Sequence, residues 1–212
     1  MKSVSDSDRK QDSVSAPMPL QSSKQLAAML IVGISIISMG AIARIYFRDL
    51  PNFSPVAAIA LYAGFLTRSW WRALLVPLGV LLISDAVIGG YDLRLMAVVY
   101  SMLAFPVVLG VLLRRRNKSH HSAGTFAFGA GLVLLGSVTF FVMTNGACWA
   151  FSPWYPKTGA GLLQCYAAGL PFFRYTLIGD ISFATCLFGA HALGAAWAVS
   201  RAKSALAKSV AS

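Results

Sequence analysis

Two aspartates stand inside long apolar runs: Asp85 in "LLISDAVIGG" and Asp180 in "RYTLIGDIS". A charged side chain in bilayer hydrocarbon costs about 2.5–3.5 kcal/mol on insertion scales, so such a group faces a cavity or a partner. Its chemistry is then to orient donor groups on a solute, to hold a cation or to relay a proton. Two adjoining carboxylates could also divide acid and base roles. Neutral polar residues recur near these carboxylates at the same ends of the apolar runs: Asn52, Ser84, Thr144 and Asn145. Aromatic residues crowd the segment that follows: Trp149, Tyr155, Tyr166, Phe172 and Phe173.

The elements that must position these residues are helices. Of the 212 residues, 57% are hydrophobic and 12% charged, whereas a soluble domain carries about 25% charged residues. Apolar runs cover 26–47, 54–67, 71–89, 93–113, 123–145 and 174–199. None alternates at period two, and a lipid-spanning segment must satisfy its own backbone, so all six are expected to be helical. The expectation is an all-α, polytopic six-transmembrane-helix bundle. Residues 1–24 form a disordered cytoplasmic tail, 25–200 the membrane domain and 201–212 a basic cytoplasmic tail. Pro77 and Pro106 are expected to kink the third and fourth helices. Ser54 and Pro55 suit the N-cap and first position of the second. The first run stays apolar through Tyr46 and Phe47, which favours a span over a cleaved leader. The stretch "GAGLLQCYAAGL", 159–170, is too short to span. It reads as a re-entrant or interfacial helix, ended by Pro171, inside a long connection over 146–173.

The net charge of +11 is distributed as an orienting signal rather than as a nucleic-acid footprint. Thirteen of the 18 Lys and Arg fall on the side of the N-terminus and five, Arg44, Arg48, Arg94, Lys157 and Arg174, on the other. That bias places both termini in the cytoplasm, with "RRRNK" at 114–118 as the main anchor. Asp49, Asp85, Asp92 and Asp180 then all fall in the outer half of the bundle. Asp180 is expected about 9 Å deep, counting from Arg174 at 1.5 Å per residue. Arg174 or Arg94 is its nearest candidate counter-charge. Cys148, Cys165 and Cys186 show no zinc spacing and read as free thiols. No HExxH, GxSxG or phosphate-binding glycine loop is present.

The stretches "NFSPVAAIAL" (52–61), "LLISD" (81–85), "TNGACW" (144–149) and "YPKTGAGLLQCYAAGLPFFRYTLIGD" (155–180) resemble an uncharacterised family of bacterial membrane proteins described as candidate transport proteins. That family in turn is similar to the substrate-binding S components of energy-coupling-factor (ECF) vitamin transporters. The resemblance implies six helices, both termini inside, a ligand pocket near the outer face covered by loops, and docking on an ATPase-driven module. The first helix departs from the Ala-x-x-x-Ala docking pattern, since Ala27 and Ala28 are followed four residues on by Ile31 and Val32.

The expectation from sequence is therefore a non-enzymatic inner-membrane protein that takes a small solute from outside. Asn52, Ser84, Asp85, Thr144, Asn145 and Asp180 would line the pocket, and Trp149, Tyr155, Tyr166, Phe172 and Phe173 would cover it. No cofactor, metal or nucleic acid is called for. The partners are the solute, the bilayer and either an ATP-driven module or none, in which case protons or cations would drive transport. An intramembrane enzyme using Asp85 and Asp180 is the remaining alternative.

Overall fold

Apolar side chains cover the outside of this molecule as well as its inside. Leu75, Leu82, Ile83 and Val87 of one helix are all exposed, while Ala73, Pro77, Val80, Leu81, Ser84 and Asp85 of the same helix are buried. The buried set repeats every three to four residues, which is one helical face. A water-facing surface would not be built this way.

The computed structural model describes residues 20–67, 69–117 and 123–211. Seven helices follow in order: α1 Leu20–Tyr46, α2 Val56–Leu66, α3 Trp70–Ile88, α4 Leu93–Met102, α5 Ala104–Asn117, α6 Ala123–Phe151 and α7 Gly159–Ala211. No strand occurs among the described residues. The chain divides into two compact units, Met1–Ser35 and Ile36–Ser212. In the first, the described residues are the opening turns of α1, with Leu26, Met29, Leu30, Ile31, Val32 and Ile34 exposed. The second holds everything discussed below. Five segments are long and apolar enough to cross a membrane: Leu26–Tyr46, Trp70–Ile88, Leu93–Arg116, Ala127–Phe151 and Gly159–Ala205. These are compatible with a multi-pass membrane protein.

The sixth apolar helix, α2, is different. Its 11 residues reach about 16 Å at 1.5 Å each, roughly half of a hydrocarbon core. It is buried along most of its length, from Val56 to Gly64 apart from Ala57, and packs against α3, α5 and α7. Gly64 lies against the backbone of Val107, and Gly110 against the backbone of Leu61. Two glycines thus let α2 and α5 touch main chain to main chain, the contact that small residues allow between membrane helices. Ile59, Tyr62, Val80, Leu81 and Leu103 form the core around it.

Several boundaries differ from the sequence expectation. Residues 1–19 of the expected tail lie outside the described residues, as do Arg68 and Lys118, but 20–24 are already helical. No Gly or Pro intervenes between Pro19 and Gly33 to stop the helix. The fourth run is not kinked but divided, with Leu103 between α4 and α5. Pro106 has no N–H for the carbonyl of Met102, so the ladder is interrupted there. Pro77, by contrast, is accommodated within an unbroken α3.

The largest difference is at 146–173. α6 runs on to Phe151, and α7 starts at Gly159 and passes through Pro171 without a stop, continuing through the expected C-terminal tail to Ala211. Contacts on both sides of Pro171 hold α7 on α6. Tyr166 donates from Oη to the Val142 carbonyl at 2.9 Å, Cys165 Sγ donates to the Asn145 carbonyl at 3.3 Å, and the Phe141 and Phe173 rings are 4.7 Å apart. One missing backbone bond is tolerated where neighbouring helices fix the geometry. The true loop, 152–158, is built from caps. Lys157 Nζ donates to the carbonyls of Trp149 and Ser152, and Thr158 Oγ1 accepts from Gly161 N at 3.2 Å. These serve the C-terminal carbonyls of α6 and the N-terminal amides of α7.

Candidate functional site

Asp85 lies near the C-terminal end of α3 and does not stand alone. Arg44, from α1, donates to its carboxylate and to Ser84 Oγ, the latter at 2.5 Å. Tyr100, from α4, donates from Oη to Asp85 Oδ2 at 2.8 Å. Ser84 Oγ in turn donates to the Val80 carbonyl at 2.7 Å. An ion pair whose side chains are only 19% and 7% exposed joins α1 to α3, and the Tyr100 bond adds α4. Sequence reading missed Arg44 and Tyr100. The signal was present, because an arginine inside the first apolar run needs an intramembrane partner as much as an aspartate does.

Asp180 is 4% exposed. Its only hydrogen bond among the described residues comes from Ser137 Oγ to Oδ2, at 2.6 Å. No ion pair reaches it among those residues. Arg174 donates instead to Tyr175 Oη at 3.1 Å, and Arg94 turns to Asp92 and the Phe151 carbonyl. Neither expected counter-charge is therefore in place. The depth also differs. Ser137 is the middle residue of α6, and Asp180 sits opposite it, because α7 begins at Gly159 rather than near Arg174. Gly179, the preceding residue, lies against Phe53 and Ser54. That packing brings Asp180 to the first turn of α2, where Ser54 Oγ accepts from Val56 N at 3.4 Å and Pro55 has helical dihedrals of −79° and −6°.

A cavity of about 390 Å³ extends from the end carrying the α1–α2 and α3–α4 loops down to Asp180. Its walls come from the end of α1 (Arg44, Phe47, Arg48), the α2 entry (Asn52, Phe53, Ser54), the broken α4–α5 region (Leu95, Val99, Met102, Leu103, Phe105, Pro106), α6 (Gly136, Thr139, Phe140, Thr144, Cys148) and α7 (Thr176, Asp180). This volume is within the range of small-molecule pockets, and the mostly apolar wall with few polar groups is their usual make-up. Asn52 adopts φ 60°, a left-handed turn that asparagine tolerates. Tyr91 also lines the space. Burial, and secondarily the Asp85 carboxylate, pushes its phenol up from the ordinary value.

Of the residues expected at a pocket, Asn52, Thr144 and Asp180 line this cavity. Ser84 and Asp85 lie behind Arg44 and reach it through that side chain. Asn145 bonds within α6, to the Phe141 carbonyl, and packs against Gly169. Trp149 donates from Nε1 to the Pro156 carbonyl, Tyr166 and Phe173 join α7 to α6, Phe172 is exposed and Tyr155 is half-buried in the 152–158 loop. These five aromatics are absent from the cavity wall. Among the described residues no cluster of three or more His, Cys, Asp or Glu could hold a metal. The three cysteines are free.

Fold and site together define a class: an all-helical chain, compatible with multi-pass membrane insertion, that encloses a small-molecule-sized cavity with a buried carboxylate at its floor. Within that class the particular assignment comes from sequence. Residues 23–203 match the model described as "Family of unknown function (DUF6580)", and the chain belongs to that family. No curated protein and no solved structure matches it.

Proposed function

We propose that this protein binds a small solute in the cavity above Asp180 and serves in its movement across the bacterial inner membrane. The observation that carries this reading is the combination of a 390 Å³ space with a 4% exposed carboxylate that lacks a cationic partner among the described residues. A buried charge is costly unless paired, and a solute supplies the missing partner. The chain crosses the membrane six times in this reading, with the short α2 as one crossing, both termini cytoplasmic and the cavity facing outward. The bias in basic residues supports that orientation. It works either as an S-component-like subunit on an ATP-driven module or alone, driven by protons or cations. The engagement of Asp85 by Arg44 and Tyr100 weighs against an aspartyl acid–base pair.

The test is mass spectrometry of small molecules that co-purify with the wild type and with Asp180→Asn. A compound present in the first and missing from the second, both monodisperse, supports the reading. A compound retained by Asp180→Asn removes the carboxylate from the site. Labelling of Cys148, a cavity residue, by a membrane-impermeant cationic thiol reagent on intact cells checks the orientation. Labelling seen only from inverted vesicles reverses it.

A further inference from the structure

The charges around the cavity do not cancel. Arg44 is held by Asp85, and Arg48 lies 3.9 Å from Asp49. Asp180 is the remaining charged wall residue, bonded only to a serine hydroxyl among the described residues. Asp85 and Asp49 stand behind the wall rather than on it, so among the three charged lining residues Asp180 is the one with no ionic partner among the described residues. Nearby cations are committed elsewhere: Lys157 to the carbonyls of Trp149 and Ser152, Arg174 to Tyr175 and Arg94 to Asp92. None of these three lines the cavity.

The carboxylate has room to accept more. It offers about four lone-pair sites, of which Ser137 fills one on Oδ2. The side chain is not sealed in, since it forms part of the cavity wall. The interruption between α4 and α5 adds acceptor character. Pro106 has no N–H for the Met102 carbonyl, and both residues line the same space. Much of the wall beside it, Leu95, Val99, Leu103, Phe105 and Phe140, is apolar. It suits an organic body, and among the described residues no group of three or more His, Cys, Asp or Glu could hold a metal ion.

We propose that the solute is an organic cation, a protonated nitrogen on a largely apolar frame, and that Asp180 is its anchor. This deepens the solute-binding reading of the cavity and rests on it. The protonated nitrogen would sit between Asp180 and the broken span, with its apolar part against the α4–α5 and α6 side chains.

Thr139 lines the same cavity as Asp180, so Thr139→Cys places a reporter within it. The full chain in nanodiscs is treated with methanethiosulfonates bearing a methyl, an ethylammonium or an ethylsulfonate group. Rates at that cysteine are read by peptide mass spectrometry and referenced to 2-mercaptoethanol. The expected result is a cation-over-anion preference on the order of tenfold, the scale a unit charge gives in a partly solvated site. Asp180→Asn should bring the ratio to about that of the free thiol, while Asp180→Glu keeps it and the neutral reagent's rate stays the same. Phenethylammonium should slow the neutral reagent, and phenylacetate should not. A neutral reagent that reacts while the ratio is flat or inverted overturns the cationic solute and leaves a solute cavity standing. If no reagent reacts, the cavity is closed to solution and both readings fall.

Discussion

Removing Arg44 should unseat α3 rather than empty the cavity, and the size of the effect can be worked out. Unit charges 4 Å apart attract by about 4 kcal/mol at an effective dielectric of 20. Screening is weak here because the two side chains are only 19% and 7% exposed. Breaking a buried pair by deleting one member costs about 3–5 kcal/mol, since the other charge is left buried. Arg44→Met leaves Asp85 with its 2.8 Å bond from Tyr100. A hydrogen bond to a charged group contributes about 1.5–3 kcal/mol, which keeps the expected loss near 3 kcal/mol. Asp85→Leu leaves Arg44 with only Ser84 Oγ of its two partners, for a loss of about 4 kcal/mol. The double variant removes both charges and should lose less than either, about 1–2 kcal/mol, because well-packed apolar replacements of buried pairs are near neutral. Unfolding of the detergent-solubilised protein by SDS titration, followed by circular dichroism, gives the three values and their coupling. Additive losses, or single variants within 1 kcal/mol of wild type, would refute the claim that this pair ties α1 to α3.

Four further outcomes follow from other contacts. Gly64→Val and Gly110→Val should each abolish a monodisperse folded species on size exclusion, because an added side chain meets the Val107 or Leu61 backbone. Gly189→Ala, with nothing within 4 Å, should be neutral or stabilising by up to about 1 kcal/mol. Asp92 accepts from the amides of Arg94 and Leu95, and its carboxyl is held below the ordinary range, first by the Arg94 side-chain bond and then by the Leu95 amide. A depressed pKa means the contribution is present above the unfolded value and is lost as pH falls through the folded one. Hydrogen exchange at Arg94 and Leu95 should therefore quicken on acidification beyond the trend of neighbouring amides, and Asp92→Ala should show fast exchange at neutral pH too. Pro171→Ala should preserve helicity and stability, since α7 already runs through that position; loss of folded protein would mean that Pro171 supports a bend the chain depends on.

The apolar helices were legible because composition and length report the solvent around a helix directly. The lone state of Asp180 and the pairing of Asp85 were not, because both aspartates present the same local pattern. What separates them is a contact between residues 41 apart in the chain, Arg44 and Asp85. Reading Arg44 only as an orienting charge concealed that pairing. Pro171 misled for a related reason. Proline removes one backbone bond whatever its setting, but whether the helix ends depends on tertiary contacts such as Tyr166 to Val142 and Phe173 to Phe141. The 152–158 turn had a readable signal in Lys157 and Thr158, residue types that cap carbonyls and amides respectively. The aromatic count in 149–175 outweighed it and suggested a lid.

The short α2 explains why there is a cavity at all. A helix of 11 residues reaches about 16 Å, about half of the 30 Å or so that a hydrocarbon core requires. The void lies at its N-terminal end, where Asn52, Phe53, Ser54, Val56 and Ala57 line it. Longer neighbours keep their full length around it, so the vacancy is walled by α1, α6 and α7 and floored by Asp180. The start of α2 and the interrupted stretch at Leu103–Pro106 are both unsuited to lipid, and residues of both border this interior space instead. Irregular backbone at membrane depth is tolerated where it lines a cavity, and half-helix ends are where membrane proteins commonly meet their solutes. The short helix, the broken span and the Asp180 carboxylate thus share one place: each would be costly against lipid, and each borders the cavity instead.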